Sequence, residues 1–140
     1  MPVNAKEKVA VDRRLRIAGL RPTRQRIALA ELLFAKGDRH LSAEELHEEA
    51  LAAGVPVSLA TVYNALHQFT GAGLLRILAV EGSKTYFDTN TSDHHHFFIE
   101  GAGEIRDIPM TQIKIGKMAS IPEGYEISRV DLVVRLRTKR

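Results

Sequence analysis

Three consecutive histidines, His94, His95 and His96, give this chain a segment that can bind metal. Imidazole nitrogens together with carboxylate oxygens suit zinc, iron(II) and manganese(II), and an imidazole can also be an axial ligand of haem iron. Successive side chains of a β-strand point to opposite faces, so we expect His94 and His96 to share one face and His95 to point away. A solvated polar strand start would explain the same run without any ligand, and the local sequence leaves both interpretations open.

The stretch SLATVYNALHQF, residues 58–69, predicts a helix with one apolar and one uncharged polar face. Short hydroxyl and amide side chains on such a face can hydrogen-bond base edges and phosphate oxygens in the DNA major groove. An ordinary surface helix with a neutral polar face is the alternative. The apolar face consists of Leu59, Val62, Leu66 and Phe69. The polar face consists of Ser58, Thr61, Asn64 and Gln68, flanked by Tyr63 and His67.

Composition limits the class of protein. With 140 residues, 44% of them hydrophobic and 26% charged, the chain suits one compact domain, or two small ones stabilised by a partner chain. The absence of cysteine excludes disulfides, thiolate zinc sites and thiol redox chemistry. Because the chain has neither a signal-peptide pattern nor a run of about 20 apolar residues, we expect a cytoplasmic protein with no membrane association.

Basic residues are concentrated before residue 41, although the formal net charge is only +3. An acidic block at residues 44–49 follows directly, so the basic character is confined to particular elements. Lysine and arginine neutralise phosphates and release counterions, so double-stranded DNA is the expected partner. A solvated basic face remains the alternative for any single arginine. The candidate phosphate contacts are Arg13, Arg14 and Arg24.

Helix signals organise the first half of the chain. Ser42 and Glu45 form a capping-box pattern that opens a third helix, and residues 54–56 interrupt it shortly before Ser58. Two helices joined by so short a turn predict a helix-turn-helix unit. The predicted helices run from Lys6 to Ala18, from Thr23 to near Gly37, from Ser42 to Ala53 and from Ser58 to Phe69.

A hairpin is predicted after these helices. The runs LLRILAV and TYFDT are β-rich and flank the turn EGSK, which places Lys84 near the tip. Helices followed by a hairpin are typical of a winged helix-turn-helix, in which Lys84 would reach a phosphate. We therefore expect an α+β protein whose DNA-binding domain spans residues 1–89.

The remaining residues, 94–140, predict a small α/β dimerisation domain. HHFFI and EIRDI look like two strands, and the alternation from Val130 to Leu136 looks like a third. The segment holds little apolar material for independent folding, so dimerisation would supply the missing burial. A short amphipathic helix is outlined by Met110, Ile113, Met118 and Ile121.

Four segments, RPTRQRIA, HLSAEELH, SLATVYNALHQF and GSKTYFD, resemble the Fur family of metal-responsive bacterial transcriptional regulators. The resemblance covers nearly the whole chain and implies a dimer with an N-terminal winged helix. It also implies that Tyr63 contacts DNA from the recognition helix. Asn64 stands where a basic residue commonly follows that tyrosine, so base preference is expected to differ from the usual family operator.

The resemblance also implies an interdomain regulatory metal site. The matching positions are His40, Asp88 and two of the three histidines, which we take as His94 and His96. A further family site in the dimerisation domain is expected to be lost, because Lys114 and Val130 occupy its ligand positions. The cysteine pairs of many members are absent.

Without cysteines and with three histidines in a row, the chain resembles the iron response regulator (Irr) subfamily of rhizobia and related α-proteobacteria. That resemblance implies haem sensing, with His94, His95 or His96 as the haem ligand and Phe97 and Phe98 beside it. The favoured hypothesis is a regulator of iron and haem genes, a homodimer that can form higher oligomers. It would bind an AT-rich palindromic operator under low iron and be inactivated by haem.

Two other functions are alternatives to haem sensing. In the first, iron(II), manganese(II) or zinc at His40, Asp88 and the histidine run activates a repressor. In the second, the histidines serve a metalloenzyme, which needs an open metal position and a general base. The chain has no H-E-x-x-H, G-x-S-x-G or phosphate-loop motif and no cysteine nucleophile, so an enzyme is not expected.

Overall fold

The computed structural model describes residues 5–78 and 84–139, with side chains described from residue 10 onward. It divides into two compact units, Met1–Thr91 and Ser92–Arg140. The described part of the first unit contains four helices and a three-stranded sheet, and that of the second contains another three-stranded sheet. The predicted α+β class is therefore confirmed. Within the described ranges, no helix has the length and apolar character needed to cross a membrane.

The four predicted helices are present, and side-chain caps define the start of three of them. Thr23, Ser42 and Ser58 each accept a hydrogen bond from the backbone N–H three residues ahead. These caps satisfy N–H groups that have no partner within the helix. The helices are α1 (Ala5–Ile17), α2 (Arg24–Phe34), α3 (Ala43–Ala52) and α4 (Leu59–Gly71).

The first sheet joins the hairpin to a short strand that lies directly before α3. Its strands are β1 (His40–Ser42), β2 (Arg76–Ile77) and β3 (Tyr86–Asp88). β3 is central and pairs antiparallel with both neighbours, which confirms the predicted hairpin. Sequence patterns did not predict β1, because three residues that end in a helix cap show no alternation. Lys84 is exposed just before β3, and residues 79–83 of the predicted turn lie outside the described residues.

The core of the first unit is built from the inward faces of the helices and β3. Val62, Leu66 and Phe69 of α4 are fully buried, as predicted. The prediction that Leu59 belongs to this face is wrong, because Leu59 is 37% exposed. It lies in the first turn of α4, where Ser58 and Ala60 are also exposed, so this turn does not reach the core.

The second unit is built around the histidine strand. Its strands are β4 (His95–Ile99), β5 (Glu104–Ile108) and β6 (Val133–Leu136). β4 is central, antiparallel to β5 and parallel to β6. Gly101 and Gly103 have positive φ in the tight connection between β4 and β5, a conformation that favours glycine. The strands predicted at HHFFI and EIRDI are confirmed, while β6 is shorter than the alternation from Val130 suggested.

The predicted amphipathic helix between β5 and β6 is wrong. A single 3₁₀ turn at Met110–Gln112 is followed by residues 113–132 without helix or strand. Met110, Met118 and Ile121, which the prediction placed inward, are close to half exposed. A helix this short is stable only when its apolar face packs against other residues. No such packing covers these three side chains among the described residues, and Gly116 further disfavours a helix there.

Candidate metal ligands and nucleic-acid face

A histidine and an aspartate meet at the edge of the first sheet. His40 on β1 and Asp88 on β3 are direct cross-strand partners, and His40 Nε2 lies 3.5 Å from Asp88 Oδ2. The backbone N–H of Asn90 donates to Asp88 Oδ1 at 2.9 Å. Asp88 is fully buried, and a buried carboxylate is costly unless hydrogen bonds or positive charge compensate it. This pair is therefore a suitable set of cation ligands.

Two histidines and a second aspartate form a similar cluster in the second unit. His94 Nε2 and His96 Nε2 lie 3.3 Å and 3.6 Å from the same oxygen, Asp107 Oδ1. The two imidazole rings are 4.5 Å apart between centroids, and both histidines are buried. Cross-strand pairing of His96 with Asp107 brings these groups together. The geometry places two nitrogens and an oxygen where one cation could bind all three.

The hydrogen bond on the far side of His94 indicates which nitrogen is available. His94 Nδ1 lies 2.6 Å from the backbone carbonyl oxygen of Ser92. A carbonyl oxygen only accepts hydrogen bonds, so Nδ1 carries a proton and Nε2 carries the lone pair of the neutral ring. Nε2 lies 3.3 Å from the carboxylate oxygen of Asp107, an arrangement that a metal ion would stabilise. Metal-binding histidines are commonly oriented by such a second bond.

His95 occupies a different environment from its neighbours. Its side chain is only 1% exposed, and its Nδ1 accepts a hydrogen bond of 3.1 Å from the backbone N–H of Leu132. His95 thus faces away from His94 and His96, as strand alternation predicts. The hydrogen bond from Leu132 gives His95 a structural role within the second unit.

Asp107 is the candidate ligand that the sequence analysis missed. Within EIRDI it looks like one polar residue of an ordinary exposed strand. The only signal in the sequence was that Asp107 lies in the strand expected next to the histidine run. The register that aligns Asp107 with His96 depends on the connection at residues 100–103. Register could not be fixed from the sequence alone.

The polar face of α4 borders a shallow groove against the start of α2. Of the predicted DNA contacts, Ser58 and Asn64 are exposed and Thr61 is half-buried. Arg26 Nη2 donates to Gln68 Oε1 at 2.9 Å, which ties α2 to α4 across the groove. The groove has a volume of about 270 Å³ and is lined by Thr23, Gln25, Arg26, Leu29, Thr61, Asn64, Ala65 and Gln68.

Tyr63 lies between α3 and the hairpin. Its hydroxyl donates to Glu44 Oε1 on α3 at 3.4 Å, and its ring stacks on His67 with centroids 6.2 Å apart. The His67 ring in turn meets Phe87 of β3 edge-on at 5.5 Å. The side chain of Tyr63 is half-buried, so its orientation depends on two other elements of the unit.

The predicted phosphate contacts are all exposed. Arg24 is the first residue of α2, while Arg13 and Arg14 lie on α1 and Lys84 lies before β3. The Arg14 guanidinium sits 3.8 Å from the centroid of the Phe34 ring, a cation–π contact that restrains it. Within the part of the chain that the structure describes, Arg13, Arg24 and Lys84 form no ion pair and present their charge to solvent.

Residues 17–135 match the model of the ferric uptake regulator family. The ferric uptake regulation protein of Pseudomonas aeruginosa is 34% identical over 128 residues, covering 90% of this chain and 96% of the relative. That of Vibrio anguillarum is 37% identical over 114 residues, covering 81% of this chain and 76% of the relative.

Solved structures show the same architecture. The Pseudomonas aeruginosa ferric uptake regulator with manganese aligns with a TM-score of 0.73 at 29% identity, covering 93% of this chain and 98% of that chain. The Vibrio cholerae ferric uptake regulator aligns with a TM-score of 0.72 at 25% identity, covering 91% and 98% respectively. The similarity therefore extends over both units.

Proposed function

This chain belongs to the ferric uptake regulator family, and on that premise we propose that it is a metal-activated repressor that binds operator DNA as a homodimer. The protein is a metal-responsive transcriptional regulator of the ferric uptake regulator type. The observation that carries the proposal is the pair of histidine–aspartate clusters, in which Asp88, His94 and His96 are buried, in a protein whose first unit is a winged helix-turn-helix.

We propose His40, Asp88, His94 and His96 as metal ligands, and we add Asp107 to the predicted set. The chemistry of the donors supports this: three imidazoles and two carboxylates without any thiolate suit iron(II), manganese(II) or zinc. The first cluster offers two of these ligands, His40 and Asp88, and the second offers three, His94, His96 and Asp107. The manganese in the Pseudomonas aeruginosa regulator makes manganese(II) the first ion to test.

Bound metal would supply positive charge to the carboxylate of Asp88, which is otherwise costly to bury. The carboxylates of Asp88 and Asp107 each lie next to an imidazole on a neighbouring segment. Metal binding would therefore restrain β3 and β5 relative to those segments. By linkage, metal raises operator affinity only as far as the DNA-bound conformation binds metal more tightly than the free one. The proposed repressor uses this difference in affinity as its switch.

For DNA recognition we propose that α4 enters the major groove. Thr61, Asn64 and Ser58 would meet base edges and nearby phosphates, with Tyr63 at the flank. The exposed cations Arg13, Arg14, Arg24 and Lys84 would contact the phosphate backbone. An AT-rich palindrome is the proposed operator, since a two-fold symmetric dimer matches a two-fold symmetric site.

The test is operator affinity at fixed salt as manganese(II) is added and then chelated. Affinity should rise with manganese(II), fall on chelation, and lose its metal dependence in His40→Ala and His96→Ala. Glu104→Gln is the matched control, because this exposed β5 carboxylate pairs with Arg106 outside the clusters. Metal-independent affinity in the parent protein would refute metal activation.

A second candidate function is haem sensing, as the Irr subfamily resemblance implies. The observation in its favour is the His94–His96 run followed by two half-buried phenylalanines, Phe97 and Phe98. All three histidines are buried, so haem binding would require this strand to open. Titrating haem while following the Soret band and operator affinity separates the candidates: saturable binding with loss of DNA affinity supports haem sensing, and an unchanged spectrum and affinity refute it.

A further inference from the structure

Arg39 lies between the first ligand cluster and the helix-turn-helix. It directly precedes His40, and its backbone extends the β1–β3 ladder by one residue pair. The N–H of Arg39 donates to Thr89 Oγ1 at 2.9 Å, and the N–H of Thr89 donates to the Arg39 carbonyl at 3.0 Å. The backbone of Arg39 is therefore fixed to the same two strands that hold His40 and Asp88 together.

The side chain of Arg39 connects those strands to two helices. Its guanidinium forms a bidentate pair with Glu49 on α3, in which Nη1 donates to Oε1 at 2.9 Å and Nη2 donates to Oε2. Nη1 also lies 3.3 Å from the carbonyl oxygen of Leu32, in the last turn of α2. That turn exposes carbonyl groups without helical partners and carries the negative end of the helix dipole, so it favours a cation.

The pair is shielded from water. The side chains of Arg39 and Glu49 are 17% and 25% exposed, so their interaction is screened less than that of a surface ion pair. A guanidinium fork matches a carboxylate in one planar arrangement, which a lysine ammonium cannot reproduce. A shift of the backbone at Arg39 must therefore move α3 or break the bidentate geometry.

We infer that Arg39 is a positioning residue that couples metal binding at His40 and Asp88 to the placement of α3, and through α3 to the DNA-contacting helix α4. This inference rests on the proposed metal-activated function. α3 packs against α4 through buried residues that include Leu46 and Leu66, and Glu44 of α3 accepts the hydrogen bond of Tyr63. Moving α3 thus changes the support of the recognition helix.

The experiment measures metal affinity and operator affinity separately in Arg39→Lys and Glu49→Gln. Both variants keep a polar side chain of similar length and remove the bidentate charge pair. The readouts are manganese(II) affinity without DNA by calorimetry, and operator affinity with chelator and with saturating manganese(II). Arg129→Lys is the control, because it makes the same exchange in an exposed pair with Asp131 in the second unit.

Both variants should keep metal affinity and metal-free operator affinity within about twofold of the parent. The gain in operator affinity on adding manganese(II) should fall by roughly fivefold or more, within the usual range of allosteric couplings. Thermal unfolding is measured alongside, since a purely structural role would lower stability without reducing that gain.

An undiminished gain in both variants would overturn the inference, as would an equal loss in Arg129→Lys. The inference would also be overturned if manganese(II) affinity fell by as much as the metal-dependent gain in operator affinity. Arg39 would then only hold the metal ligands His40 and Asp88 in position. If manganese(II) does not change the operator affinity of the parent protein, the proposed function itself is wrong. Measurements on the parent therefore distinguish this outcome from failure of the Arg39 inference, which only the variants show.

Discussion

His40 and Asp88 face each other across neighbouring strands, with His40 Nε2 3.5 Å from Asp88 Oδ2. Strand β1 leads directly into α3, and Ser42, its last residue, is also the helix cap. The two side chains are therefore held by backbone pairing rather than by a loop, which restricts their motion relative to the helix-turn-helix. Ligands placed on regular elements keep a more defined geometry than ligands on loops.

Asp107→Asn should weaken metal binding. The variant keeps the shape of the side chain but removes the charge that both His94 Nε2 and His96 Nε2 approach. We expect manganese(II) affinity to fall by roughly tenfold or more, at least as much as when an outer-sphere partner is lost. Calorimetric titration measures this, with Glu104→Gln on the same strand as the control. Unchanged affinity would remove Asp107 from the ligand set.

His95→Ala should reduce stability more than metal response. The substitution leaves the Leu132 N–H without its acceptor and opens a cavity where the ring was buried. The expected loss is about 2–4 kcal/mol of unfolding free energy, by urea denaturation. The folded fraction should still respond to manganese(II) as the parent does. If the response disappears while stability is kept, His95 belongs to the sensor.

Tyr63→Ala should lower operator affinity by about 1–3 kcal/mol if the residue contacts a base. The dimer should remain intact. Because the ring also stacks on His67 and its hydroxyl bonds Glu44, Tyr63→Phe separates these effects by keeping the ring. Fluorescence anisotropy with operator and with scrambled DNA gives the measurement. Equal operator affinity in parent and Tyr63→Ala would exclude Tyr63 from the interface.

Arg24→Ala should weaken binding to all DNA sequences similarly. Arg24 is exposed at the first position of α2, where its charge can reach a phosphate. Losing one phosphate contact should flatten the slope of log affinity against log salt by about one unit. Lys36→Ala, an exposed cation at the other end of the same helix region, tests whether any lost charge has this effect. An unchanged slope would argue against the Arg24 contact.

Stability should depend on acid pH through Glu49. The hydrogen bond from Arg39 lowers the pKa of Glu49 below its ordinary value of 4.5, while the carboxylate raises the pKa of Arg39 further. Because the pKa of Glu49 is lower in the folded protein than in the unfolded chain, this stabilisation is complete above pH 4.5. It is lost as pH falls through the folded value.

Denaturation of the parent and Glu49→Gln at about pH 7 and about pH 4 measures this contribution. The parent should be more stable at the higher pH, and the difference between the two proteins should shrink at the lower pH. A constant difference would show that the Glu49 charge does not contribute to stability.

The helices could be predicted because their signals are local. Hydroxyl caps at Thr23, Ser42 and Ser58 and the apolar spacing of α4 act within one or two helical turns. The hairpin and the strands at HHFFI and EIRDI were likewise predicted from short patterns. The helix expected from Met110 to Ile121 failed because amphipathic spacing stabilises a helix only where another surface covers its apolar face.

By itself the sequence determined the family, the chemical types of the candidate ligands and the opposite orientation of His95. These depend on residue identity and on the two-residue period of a strand, which any fold preserves. Only the tertiary structure decided that His40 faces Asp88 and that Asp107 lies beside His94 and His96. It also decided that Arg39, next to His40, is paired with Glu49 of α3. Those contacts join residues on different segments of the chain. They are set by strand register and side-chain burial, which no local pattern encodes.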